Sequence, residues 1–394
     1  MQKKLRRIVF ASAFAVCCSV LLPASAQQSG GQTGDPSVVI GPAAPSMPGS
    51  YFPTIPSNNT ITVSGGTVDG HLFGGVTVTV GAESSNNEVY VSGGTIGSTA
   101  SGTRGHVFGG WSDEGSVKDN YVEISGATTL VRGIVFGGWI DGGSVGYDGI
   151  ENEVLIKNGT LRSNIYGAYS QGQNGTLFKN SITIDGGTVN GTASNRSIIA
   201  GAYSAILSNT VNENKVFING GTLNYADIYG GRGQTTSHVT ENLVEISGGT
   251  INNGMIYGGQ LVNGGSGPPA GLVDKNTVII IDGTVNATIY GGYAQSAAAN
   301  HATLNTVDIR GGNITGNIYG GYSANGTATH NDVFISGTGT ITGNVYGGAR
   351  GGTGSTDVFT GNSLYKNSAV AVGTVQNFEF INFGYSGNAG IATL

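Results

Sequence analysis

The stretch Asn242-Leu-Val-Glu-Ile-Ser-Gly-Gly-Thr-Ile-Asn-Asn-Gly-Met-Ile-Tyr-Gly-Gly259 decides the fold of this 394-residue chain. Val244 and Ile246 stand two and four places after the asparagine, so one face of a strand is apolar at a period of two. The Gly-Gly that follows has the backbone freedom that a sharp corner requires. The stretch therefore predicts a first strand, a corner, a second strand from Thr250 and a third strand at Ile256-Tyr257.

The same pattern recurs along the chain, with spacings of 26 to 34 residues between its leading asparagines. A period of this length is typical of a solenoid, in which each repeat stacks on the one before it, about 4.8 Å away. The sequence predicts an all-β fold, a right-handed parallel β-helix (β-solenoid) of about ten coils of roughly 26–34 residues. One column of corner amides is expected to form a hydrogen-bonded structural ladder, made of Asn59, Asn87, Asn120, Asn152, Asn180, Asn214, Asn242, Asn276, Asn305 and Asn331.

The composition agrees with a turn-dense β protein. The chain has 71 glycines and only 10% charged residues. Glycine costs a helix interior about 1 kcal/mol relative to alanine, which excludes an ordinary helical enzyme. Apolar residues still make up 38% of the chain, which argues against disorder, and no Gly-X-Y period indicates collagen.

The N-terminus predicts export. Residues 1–26 combine a basic start, an apolar run from Ile8 to Leu22 and a small-residue cleavage site at Ala24-Ser25-Ala26, as a secretory signal peptide does. Its removal would take away both cysteines and lower Lys plus Arg from 17 to 13 against 23 Asp plus Glu, a net charge of −10. Such an acidic chain does not suit nucleic acid. Residues 27–57 hold six of the nine prolines and predict a flexible Pro/Gly/Ser-rich leader.

The repeated N-x-V-x-I-S-G-G-T coils with their I-Y-G-G halves resemble the passenger regions of bacterial autotransporter (type V secretion) proteins. The tail Phe378-Glu-Phe-Ile-Asn-Phe-Gly384 looks like the segment that closes such passengers, and the resemblance covers Asn58 to Leu394. It implies repeats over 58–350 and a C-terminal coil over 351–394. It also implies display at the cell surface, or release, by a Gram-negative-type bacterium. Family members end in a membrane β-barrel anchor, and the expectation is that this chain lacks one.

The search for chemistry predicts no catalytic, cofactor-binding or metal site. Acids in the outward strand column occur singly, at Glu123, Glu245 and Asp308, whereas a carbohydrate-active site needs paired carboxylates. His71 and His106 each precede a Phe-Gly-Gly by two residues and are expected to stack about 4.8 Å apart. No third ligand column accompanies them, so a metal is not expected.

Two aromatic columns are predicted on the third strand. The first precedes the glycines and is expected to stabilise the stack: Phe73, Phe108, Phe136, Tyr166, Tyr229, Tyr257, Tyr290, Tyr319 and Tyr346, with Ala200 as the exception. The second lies just past the glycines and is a candidate strip of exposed rings, to be weighed against packing under the loops. The strip consists of Trp111, Trp139, Tyr169, Tyr203, Tyr293 and Tyr322.

Together these features favour a secreted or surface-displayed passenger that is not an enzyme. It would adhere or self-associate through repeated surface columns, with avidity in place of one deep pocket. Its expected partner is a host-surface or extracellular-matrix glycan or protein, or a second copy of itself, and no cofactor is expected. The alternatives are a carbohydrate-active β-helix enzyme, either a polysaccharide lyase or a hydrolase, and a truncated passenger remnant.

Overall fold

A computed structural model describes residues 37–40, 51–53, 55–98, 104–143, 146–234, 236–262, 271–295, 300–351 and 357–384. The predicted signal peptide, residues 1–26, lies outside the described residues, as do residues 385–394. Within the described ranges every regular element is a β-strand and there is no helix. The fold is a parallel β-helix of about ten coils, as the repeat predicts.

Up to Asp332–Ile335, the first strand of each coil directly follows the ladder asparagine and alternates buried and solvent-facing residues. Successive first strands pair in parallel, residue for residue, as in Lys215↔Leu243, Val216↔Val244, Phe217↔Glu245 and Ile218↔Ile246. The first strands are Thr60–Val68, Glu88–Ile96, Tyr121–Ile124, Glu153–Ile156, Ser181–Ile184, Lys215–Ile218, Leu243–Ile246, Thr277–Ile280, Thr306–Ile309, Asp332–Ile335, Ser363–Lys366 and Phe380–Phe383.

The second strand follows the Gly-Gly corner, and in the first two coils it is continuous with the first strand. Elsewhere the second strands are Leu130–Val131, Thr160–Leu161, Thr188–Asn190, Thr222–Asn224, Asn313–Ile314 and Thr340–Ile341. In two coils the second and third strands run together as Thr250–Val262 and Thr284–Ala294.

The third strand carries the aromatic residue and its glycines. The separate third strands are Leu72–Thr77, Val107–Ser112, Val135–Ile140, Ile165–Ser170, Ser197–Ser204, Ala226–Gln234, Ile318–Ser323, Val345–Arg350 and Val375–Gln376.

A fourth, short strand precedes each ladder asparagine from Asn87 to Asn331, and the sequence pattern did not predict it. These strands form a separate nine-stranded sheet. They are Ser84–Ser85, Val117–Lys118, Gly149–Ile150, Thr176–Phe178, Thr210–Asn212, His238–Thr240, Leu272–Asp274, His301–Thr303 and Ala328–Thr329.

Parallel pairing extends to either side of residues 58–350, the range of the predicted repeats. The predicted flexible leader contains the strand Ser37–Ile40, which pairs in parallel with Thr60–Val63. At the other end the coils continue past residue 350. Ser363–Lys366 stacks on Asp332–Ile335, and Phe380–Phe383 stacks on Ser363–Lys366. The strand Ser-Val-Val-Ile is short and β-branched, and such residues favour strands even beside prolines.

Two apolar cores run along the coils. The main core is filled by the inward residues of the first three strands, for example Val216, Ile218, Leu223 and Ile228, each 0% exposed. A smaller core lies between the third and fourth strands. It is lined by Ala168, Leu177, Ala202, Val211, Val239, Leu261, Val273, Ala294 and Ala302.

Most repeats carry glycines at two places, at the corner and inside the third strand, and the two sets have different roles. In the first pair the second glycine turns the predicted corner with a positive φ, as at Gly221 (φ 82°) and Gly249 (φ 81°). The second pair lies inside the third strand and makes no corner. At Gly230 a Cβ would lie 2.5 Å from the carbonyl oxygen of Gly258 and 2.9 Å from the backbone nitrogen of Leu243, so only glycine lets these strands pass so close.

We therefore expect Gly230→Ala to destabilise the solenoid by roughly 2–3 kcal/mol, because the added methyl would collide with the backbone of two neighbouring strands. Urea unfolding followed by circular dichroism measures this loss. Gly142→Ala is the matched control, because its Cβ would meet nothing closer than Asp113 O at 3.6 Å. Equal midpoints for the two variants would contradict the close-approach explanation.

Candidate binding faces

The corner asparagines form one continuous hydrogen-bonded column. Asn242 Nδ2 donates to Asn276 Oδ1 at 2.9 Å, and the backbone N–H of Asn242 donates to the same oxygen at 3.1 Å. Nδ2 also donates to the carbonyls of Val211 and Thr240. The ladder amides are between 0% and 2% exposed, so this column holds the fold together and is not open to a ligand.

Sequence reasoning missed an eleventh member of this ladder. Asn362 Oδ1 accepts hydrogen bonds from the backbone N–H and the side-chain amide of Asn331, at 2.9 and 3.2 Å. The residues after it, Ser363-Leu-Tyr-Lys-Asn-Ser368, lack the Val/Ile pair and the corner glycine that marked the other copies. The signal that could have found it was the spacing of 31 residues from Asn331.

The first aromatic column is a stack of parallel rings. Six neighbouring pairs have ring centroids 4.4–5.1 Å apart and interplanar angles of 2–9°. The rings from Phe73 to Tyr257 are only 2–4% exposed, whereas Tyr290, Tyr319 and Tyr346 are half-buried. Because each ring face lies against the next ring, the column presents ring edges to solvent. It stabilises the stack and leaves no face free for a sugar.

The predicted strip of exposed rings does lie in one register. Trp111 pairs with Trp139, then Tyr169 and Tyr203 follow, and Tyr293 pairs with Tyr322 farther along. The two tryptophans are buried, however, at 8% and 5% exposure. The Trp139 ring packs on the first column, 5.0 Å from Phe136. The tyrosines are half-buried. The tryptophan end of the strip is therefore packing.

The gap that Ala200 leaves in the first column is filled from the second. Ala200 lies in register between Tyr166 and Tyr229. Arg232 places its guanidinium 4.6 Å from the Tyr203 ring centre and 5.0 Å from that of Tyr229. This cation–π contact replaces the missing ring, so the column has no open slot here.

His71 and His106 stack as the repeat predicts, with ring centroids 4.7 Å apart and planes 9° from parallel. Their Nδ1 atoms accept backbone N–H bonds from the next coil, His71 from His106 at 2.9 Å and His106 from Ile134 at 2.8 Å. Burial lowers the pKa of His71 to about 4. Burial, followed by repulsion from His71 and Arg104, lowers that of His106 to about 3. Both rings are therefore neutral hydrogen-bond acceptors. Within the described residues, no group of three His, Cys, Asp or Glu could hold a metal ion.

Two aspartates occupy equivalent positions on adjacent coils, just past the third strand. Asp113 and Asp141 directly follow Ser112 and Ile140, which pair in the ladder. Burial, followed by repulsion from Asp113, raises the pKa of Asp141 to about 6. Burial and the neighbouring Glu114 raise the pKa of Asp113 as well.

At neutral pH Asp141 destabilises the folded protein, because its carboxylate is then charged, half-buried and close to the carboxylate of Asp113. We expect Asp141→Asn to stabilise the protein by about 1–2 kcal/mol at pH 7.5. The folded pKa lies above the unfolded one, so this gain should fade as the pH falls through 6 toward 4. Thermal melts of both proteins at pH 7.5 and pH 4 measure it. A gain that is equal at both values would show that the carboxylate charge is not its origin.

The outer side of the second strand carries a second set of aligned polar residues, which we call the Thr/Asn face. It consists of two ranks over six coils, with the buried residue of each strand between them. The first rank is Thr188, Thr222, Thr250, Thr284, Asn313 and Thr340, and the second rank is Asn190, Asn224, Asn252, Asn286, Thr315 and Thr342.

The second rank of the Thr/Asn face is itself a ladder. Asn224 Nδ2 donates to Asn190 Oδ1 at 2.9 Å, Asn252 to Asn224 at 3.0 Å, and Asn286 to Asn252 at 3.2 Å. Thr315 Oγ1 continues the ladder by donating to Asn286 Oδ1 at 3.1 Å. Unlike the corner ladder, this rank is half-buried or exposed. The sequence signal for this face is the Thr-x-Asn that recurs after the corner. From it the sequence predicted only the start of the second strand.

Comparison with known proteins adds no relative. No family model, no curated protein and no solved structure matches the chain. In the part of the chain that the structure describes, no helix could cross a membrane. The geometry defines the class of the protein: a parallel β-helix built from a repeated coil, with its core closed and its regular polar columns outside.

Proposed function

We propose that this protein is an exported, autotransporter-like passenger that acts by binding, not by catalysis. Its β-helix would present the same outward columns coil after coil to a surface or to another copy. The observation that carries the proposal is the Thr/Asn face, whose aligned side chains face solvent over six coils. Repeated weak contacts along such a face add up by avidity. The basic and apolar N-terminus supports export, and the I-Y-G-G coils support the passenger assignment.

Expression of the full chain in a Gram-negative host tests this proposal. The expected result is an N-terminus that begins at Gln27, antibody detection outside the inner membrane, and increased attachment or clumping of the expressing cells. A matched chain whose signal segment is inactivated by Leu21→Arg and Leu22→Arg should remain inside and change nothing. Retention of the wild-type chain in the cytoplasm, or export without any change in attachment, would refute the proposal.

A carbohydrate-active enzyme is the second candidate, and the Asp113–Asp141 pair favours it. A carboxyl group with a pKa near 6 beside a second carboxyl group is the arrangement that general acid catalysis uses. Incubating the protein with acidic and neutral polysaccharides and assaying new reducing ends and unsaturated products tests this candidate. Cleavage by the wild type that Asp141→Asn abolishes would support the enzyme. Cleavage that survives this substitution, or none at all, would reject Asp141 as a catalytic acid.

A further inference from the structure

We infer that the Thr/Asn face binds a neutral, hydroxyl-rich polysaccharide chain that lies along the solenoid axis. The inference rests on the proposed binding function and names the ligand class for it. The tryptophan end of the predicted aromatic strip does not supply such a site, because both tryptophans are buried and Trp139 packs on the first column.

The amides of this face retain hydrogen-bonding capacity. An asparagine side chain offers two N–H groups and two carbonyl lone pairs. Asn224 and Asn252 each use one N–H group and one carbonyl lone pair in the ladder. Among the described contacts, one N–H and one lone pair of each amide are left for an outside partner. The ladder also holds the amides in a fixed orientation, which lowers the entropy that binding would cost.

The spacing of these groups is regular in two directions. Coils repeat every 4.8 Å or so, and two outward residues of one strand stand about 6.6 Å apart. Six coils therefore offer a double row of donors and acceptors roughly 24 Å long. An extended polymer with hydroxyl groups on every unit can use such a row, whereas a small molecule would contact only one or two coils.

Charge and polarity decide between classes of polymer. None of the twelve residues of the face is charged, and Arg162 stands in the same rank only at one end, so an anionic glycan or a nucleic acid would find no row of compensating cations there. None is a large apolar or aromatic residue, whereas protein interfaces have an apolar core with aromatic anchors. A neutral polysaccharide needs neither cations nor an apolar core. Its hydroxyl groups exchange hydrogen bonds to water for hydrogen bonds to the amides and threonines of the face.

The test uses the full exported chain and two neutral β-1,4-linked polysaccharides, microcrystalline cellulose and chitin, with heparin as an anionic comparison. Wild-type protein should bind at least one neutral polymer and not heparin. The variant Asn224→Ala/Asn252→Ala/Asn286→Ala should bind at least tenfold more weakly. The control Thr183→Ala/Thr277→Ala/Thr306→Ala removes three polar groups from the outer side of the first strand and should bind like the wild type. Circular dichroism melts of all three proteins establish that each is folded.

Equal binding by the two triple variants, or binding to heparin alone, would overturn the inference. So would failure to bind either neutral polymer while cells that display the chain still attach, which would leave the proposed function standing. Growth inhibition of ice crystals that disappears in the asparagine variant, without polymer binding, would assign the face to ice instead. Polymer binding by a chain that is never exported would support the inference and refute the proposed function.

Discussion

Replacing Asn242 with alanine will lower the free energy of unfolding of the solenoid by about 4 kcal/mol. Asn242 is 1% exposed, and its amide links three successive coils. Its Oδ1 accepts from the backbone N–H and the side-chain amide of Asn214, both at 3.0 Å, and its Nδ2 donates to Asn276. Removing it leaves the buried Asn214 N–H without its acceptor, which costs about 1–3 kcal/mol, and it also breaks the hydrogen bonds to Asn276 and to the Val211 carbonyl.

Urea unfolding by circular dichroism measures the total loss, and amide hydrogen exchange locates it. Protection should fall first in the coils that begin at Asn214, Asn242 and Asn276, because each coil contacts only its neighbours. Asn252→Ala is the matched control, since it removes the same side chain from a solvent-facing ladder and should cost less than about 1 kcal/mol. Similar losses for the two variants would contradict a special role for the buried corner.

The second large effect is a loss of stability in acid that depends on His71 and His106. Burial lowers their folded pKa values to about 4 and about 3, below the ordinary value of 6.5. The unfolded chain therefore binds more protons than the folded one below pH 6.5, and stability falls as the pH falls. Between pH 8 and pH 5 the expected loss is about 2 kcal/mol for each histidine. It continues until the pH reaches the folded pKa values.

The structure suggests the control for this prediction. At the equivalent position of a later coil, Asn164 Oδ1 accepts the Ile198 N–H at 2.8 Å, as the histidine Nδ1 atoms do in theirs. The double variant His71→Asn/His106→Asn should keep these hydrogen bonds and lose about 4 kcal/mol less than the wild type on going from pH 8 to pH 5. Asp141 titrates in both proteins with the opposite sign, so it cancels in the comparison. Parallel profiles for the two proteins would show that the histidines are not responsible.

Much of the structure around the candidate binding faces can be predicted from the sequence, because a repeat shows the same pattern many times. Three features recur in nearly every copy: the Val/Ile alternation, the corner asparagine and the aromatic residue before the third-strand glycines. Ten repetitions of one pattern exclude a chance match. Register follows as well. A one-residue slip would turn Val244 and Ile246 outward, and the stacked asparagines would lose their partners. Asn362 was missed for the converse reason, because its copy lacks the glycines.

The sequence by itself determined the parallel β-helix, the inward columns and the stacking of like residues, because these depend on local alternation and a constant period. Only the tertiary structure decided which outward columns stay open. Trp139 is buried because Phe108 and Phe136 of two coils lie against it, while the amides from Asn190 to Asn286 are half-buried or exposed. The physical reason is that a strand's pattern sets which way a side chain points. What covers it is set by side chains and loops of neighbouring coils, about 30 residues away in sequence.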